Sequence, residues 1–107
     1  MTASTLTGRY GDMHRLTQQM LEAARQGDWD RLVILEASRA GIEQALRAAA
    51  EPSPAGADGV ALARTIQAIL DADSEIRTLA QAWMIELRKR AGSLETEQKL
   101  AKAYEAF

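Results

Sequence analysis

The sequence predicts an all-α fold, an elongated antiparallel three-helix bundle with a short fourth C-terminal helix, and three observations predict it. Ala, Leu, Glu, Lys and Arg supply about half of the 107 residues, the composition of long helices. Residues that make turns or fill a pleat are scarce, with two Pro, seven Gly and 5% aromatics, which excludes a sandwich, a barrel or an alternating β-α fold. Three stretches repeat apolar residues every three and four positions, and each ends at a Gly or Pro. A chain of this length forms one domain, expected here over residues 1–107, with limited material for a core.

Residues 1–9 carry no pattern and are expected to form a flexible N-terminus. Tyr10, Met13, Leu16, Met20 and Ala24 then recur at helical spacing, with Leu21 widening the stripe. Gly27 supplies a left-handed stop and Asp28 a carboxylate to cap a second helix, so the first two helices should be antiparallel neighbours. The second helix is expected over Trp29–Ala50, with Trp29, Leu32, Val33, Leu35, Ile42, Leu46 and Ala49 on its apolar side and Glu43 paired with Arg47. Trp29 reads as the packing residue that pins the tight turn. Pro52 to Gly59 is a helix connection, because Pro52 disfavours helical geometry at Glu51.

The third helix, expected over Gly59–Arg90, holds a heptad seam of Leu62, Ile66, Ile69, Asp73, Ile76, Ala80, Trp83, Leu87 and Arg90. Its length is roughly 48 Å at 1.5 Å per residue. Asp73 interrupts the seam, and Arg77 one turn later is its nearest candidate partner. After Gly92, Ser93 can cap a fourth helix from Leu94 to Phe107, too short to be stable alone. Pairing helices two and three from the connecting loop leaves roughly 13 Å of helix three uncovered at its C-terminal end, around Trp83, Met84 and Leu87. The fourth helix is the remaining piece of this sequence that can cover it.

The chemistry-bearing residues do not assemble into an active site. There is no Cys and a single His, His14, so no conventional zinc site or triad can be drawn. Asp71 and Asp73 point roughly 200° apart on a helix, which does not suit a metal site. The glycines never reach phosphate-cradling spacing. No enzyme activity, cofactor or metal is expected. A net charge of -2 with interspersed signs gives no general attraction for nucleic acid or acidic membranes. Met1 to Gly8 lacks the basic start and apolar run of a targeting peptide, and no span reaches 18 apolar residues, so a cytoplasmic protein without membrane insertion is expected.

Several stretches resemble the FliT-type flagellar export chaperones: Gln26-Gly27-Asp28-Trp29-Asp30-Arg31-Leu32 with Glu36, then Ile69-Leu70-Asp71-Ala72-Asp73-Ser74-Glu75-Ile76-Arg77-Thr78-Leu79, then Leu87, then Lys99-Leu100-Ala101-Lys102-Ala103-Tyr104. Each piece alone is mostly helix grammar; their order and spacing over residues 10–104 carry the likeness. The resemblance implies a chaperone that holds the filament-cap protein FliD before type III export and presents it to the export ATPase complex. In enteric members the same protein also binds the transcription regulator FlhDC. Those members continue into a further tail beyond the position of Phe107, so the resemblance does not reach that tail's duties. It further implies that residues 93–107 form an autoinhibitory lid, with Leu94, Leu100, Tyr104 and Phe107 as its apolar side. The expected partner-binding surface is Ile76, Leu79, Ala80, Trp83, Met84 and Leu87. The competing reading is a structural or self-associating helical module, in which a homodimer buries that surface and the fourth helix is permanent.

Overall fold

The computed structural model describes residues 5–49, 52–89 and 94–105, the last segment with side chains from residue 97 onward. These residues form four helices and, among them, no strand: α1 (Thr5–Gln26), α2 (Trp29–Ala48), α3 (Gly56–Lys89) and α4 (Leu94–Glu105). α1 begins at Thr5, ahead of the apolar stripe, because Leu6 and Tyr10 are already half-buried and packing extends the helix past where local pattern ends. α3 likewise starts at Gly56, with Asp58 in its first turn where a carboxylate suits the positive end of the dipole.

The link between α1 and α2 is built as its residues require. Asp28 N–H donates to the Ala23 carbonyl at 2.8 Å and Gly27 N–H to that of Ala24 at 3.1 Å, the paired bonds of a helix stop that needs a left-handed residue. Gly27 meets that need with φ of 72°. Asp28 then caps α2, accepting from the Arg31 amide at 3.2 Å. α2 closes at Ala49, whose backbone is extended and whose N–H donates to the Ala45 carbonyl at 3.1 Å.

The helices are arranged around α1. It packs along both α2 and α3, whereas no Cα of α2 comes within 8 Å of a Cα of α3 among the described residues. Helix lengths in the sequence suggest that α2 pairs directly with α3; instead both pack on α1, and a cleft between them opens on its far side. α4 lies across that cleft, touching both α2 and α3. The molecule measures 55 × 22 × 17 Å, and α3 alone, at 1.5 Å per residue, gives about 51 Å of the long axis.

The fully buried side chains gather toward one end. Met20, Ala24, Leu32, Ile76, Ala80 and Leu100 have no exposure, and Ala103 has 2%. Above them sits a polar node. Arg39 of α2, 4% exposed, donates from Nη1 to Asp73 Oδ1 at 2.6 Å and to Thr17 Oγ1 at 3.1 Å, and its Nε lies 3.3 Å from Glu43 Oε1. Thr17 in turn donates to the Met13 carbonyl at 2.7 Å. The partner of Asp73 is therefore Arg39 and not Arg77, and Glu43 faces back to Arg39 and not forward to Arg47.

Candidate functional site

The surface beside α4 is assembled from the C-terminal half of α3 and the first turn of α2. Trp83 of α3 packs on the turn between α1 and α2. Its six-membered ring lies so close to Gly27 that a Cβ there would sit 2.9 Å from Cζ2, and it meets Trp29 edge to face with centroids 6.2 Å apart and planes at 77°. Trp29 is buried, and among the described residues its indole N–H has no hydrogen-bond partner. Both tryptophans thus pin the α1–α2 turn, a role that local spacing suggests for Trp29 only. Trp83 still keeps 40% of its surface exposed.

Beyond Trp83, α3 and α4 enclose a groove of about 320 Å³ lined by Met84, Leu87 and Arg88 on one side and Glu97, Gln98 and Ala101 on the other. The six residues expected to bind a partner are divided by depth while α4 is seated. Ile76 and Ala80 have no exposure, Leu79, Met84 and Leu87 are half-buried against the core, and Trp83 is open. Of the expected lid residues, Leu100 is wholly buried and Tyr104 is half-buried; the Leu94 side chain and Phe107 lie outside the described residues, as does the Gly92 stop.

Polar contacts fix α4 at two points that helix periodicity does not mark. Lys99 Nζ lies 2.9 Å from Asp30 Oδ1 in the first turn of α2. The Arg77 guanidinium carbon of α3 sits 6.0 Å from the centroid of the Tyr104 ring, a cation on an aromatic face. Each partner is remote in sequence, so neither contact obeys a helix-surface rule; only the two-helix placement of α4 brings them together. The acidic cluster of α3 is spent separately. Asp71 accepts from Gln67 at 2.8 Å, Asp73 from Arg39, and Glu75 from Arg25 of α1 at 3.0 Å.

What the site offers is an amphipathic cleft filled by an amphipathic helix, the geometry of helix-in-groove recognition. Among the described residues, no helix is long and apolar enough to cross a membrane. No curated protein and no solved structure matches the chain. The family model described as Flagellar protein FliT matches residues 8–106, nearly the whole length. The chain belongs to the FliT family, a family of flagellar export chaperones.

Proposed function

We propose that this protein is a cytoplasmic chaperone of type III flagellar export that binds the filament-cap protein FliD and hands it to the export ATPase complex. The core of the molecule is an elongated antiparallel bundle of α1, α2 and α3 within one domain, and residues 93–107 are its autoinhibitory lid. The Arg39 bond to Thr17 and the Arg25 bond to Glu75 support that helix order. The observation that carries the reading is the seat of α4. Twelve residues long, it falls at or below the length at which an isolated helix is stable, yet it covers Met84 and Leu87 through few apolar groups. Such a segment docks weakly enough to be displaced by a client helix offering the same kind of face.

Co-purification with FliD tests this, using the full chain and a chain ending near Gly92. Retention of FliD by both, and more strongly by the shortened chain, is the expected result; no retention by either overturns it. The regulator FlhDC belongs in the same assay as a second candidate. One observation favours the alternative of a permanent, self-associating module: Leu100 is as deeply buried as any residue of α1. In that case the shortened chain unfolds or precipitates, and the full chain sediments as a dimer.

A further inference from the structure

α4 presents a compact pattern to the cleft. Lys99 reaches Asp30, Leu100 beside it is wholly buried, Ala103 one turn later is 2% exposed, and Tyr104 next to that lies under Arg77. Read along the helix, the pattern is a basic residue, a large aliphatic one, a half-buried small residue at the groove (Ala101), one open position (Lys102), a second small residue and an aromatic one. Its two polar ends are received by opposite charges on different helices, an anion on α2 and a cation on α3. A helix inserted in the reverse direction would set its basic residue against Arg77 and its aromatic ring against Asp30, so the rim charges select direction. The tight burial of Ala103 selects size, since a larger side chain there would force the helix off its seat.

We infer that the surface of α2 and α3 beneath α4 recognises an amphipathic client helix carrying this same pattern, basic, large aliphatic, small, one free position, small, aromatic, docked in the direction of α4. This inference rests on the lid reading of α4 and gives it chemical content. α4 is a mimic of the client segment, and Asp30 and Arg77 are specificity-determining residues. Because the Asp30–Lys99 pair is solvent-exposed, its share is modest, up to about 5-fold in affinity, and the burial of the aliphatic and small positions carries the remainder.

The test titrates the full chain, as wild type and as Leu100→Ala, with three helix-stabilised peptides on a Glu, Gln and Ala background. One carries Lys-Leu-Ala-x-Ala-Tyr, one has Lys and Tyr exchanged, and one has Leu in place of the second Ala. The matched peptide is expected to bind at least about 10-fold more tightly than either control, a difference of about 1.4 kcal/mol. Asp30→Lys should weaken the matched peptide by several-fold and favour a peptide with Glu in place of Lys. Asp30 is mostly exposed, so this substitution leaves the fold intact, as circular dichroism verifies. Equal binding of all peptides, binding of none, or indifference to Asp30→Lys overturns the inference. FliD is titrated in parallel. If FliD binds and ignores Asp30→Lys and Arg77→Glu, the pattern is wrong and the chaperone reading stands. If the peptides are discriminated and FliD does not bind, the pattern stands and the client is another protein.

Discussion

Arg39 is a cation held where a helical bundle would ordinarily place an aliphatic side chain. From its own place on α2 it joins Thr17 of α1 to Asp73 of α3, and a buried polar residue of this kind fixes register at some expense of stability. Replacing it with Leu leaves Asp73 without its partner, and a loss of about 3 kcal/mol is expected in urea unfolding. Arg39→Leu with Asp73→Leu should recover part of that loss, and Asp73→Leu alone completes the cycle that gives the coupling energy of the pair. The sequence reveals that Asp73 intrudes on the seam, but not where it points. A pair one helical turn apart can be read from spacing, whereas a pair 34 positions apart requires knowing that α2 and α3 face each other across a gap. Gly27 is constrained twice, by its left-handed backbone and by the Trp83 ring against it. The backbone alone makes Gly27→Ala cost about 1–2 kcal/mol, and the contact with Trp83 adds to it; thermal unfolding with near-ultraviolet dichroism of the displaced indole measures both.

At the scale of elements, the helices are legible because each long stretch holds its period and ends in a stop residue. Boundaries differ by a few residues where packing extends a helix beyond its stripe, as at Thr5 and Gly56. The packing of α2 and α3 on α1 is not legible, since periodicity says which face is apolar but not which neighbour covers it. α4 is the element whose energetics decide function. Truncating a wholly buried Leu costs about 2–5 kcal/mol, more than the 1–2 kcal/mol by which a displaceable lid is expected to close. Leu100→Ala should therefore open the lid almost fully and tighten FliD binding about 5- to 30-fold, while the main unfolding transition of α1 to α3 moves little. Calorimetric titration and thermal melts on the same samples check the two halves of this statement. A large fall in the melting midpoint with unchanged affinity would make α4 part of the permanent core.

As a whole molecule the protein is extended and unevenly packed. Its Cα radius of gyration is 16.0 Å, against about 13 Å for a compact chain of this length. Among the described residues of α1, none before Thr17 is buried, and in α2 none after Arg39. Local opening should track that gradient. Amide hydrogen exchange is expected to be fastest over Thr5 to Leu16 and residues 40–48, and slowest over Thr17 to Leu32 and Ile69 to Ala80. Uniform protection along α1 would show that the thinly packed end is covered by something else in solution, a second copy of the chain being the first candidate.

The edge-to-face contact of Trp29 with Trp83 has an optical consequence. Two indoles 6.2 Å apart couple their electronic transitions, so the pair should give an exciton couplet in the far-ultraviolet dichroism. One chromophore belongs to the start of α2 and the other to α3, and neither belongs to α4. Departure of the lid should leave the couplet in place, whereas separation of the α1–α2 turn from α3 should erase it. The molecule thus carries a native spectroscopic label that distinguishes opening from unfolding, with no dye attached.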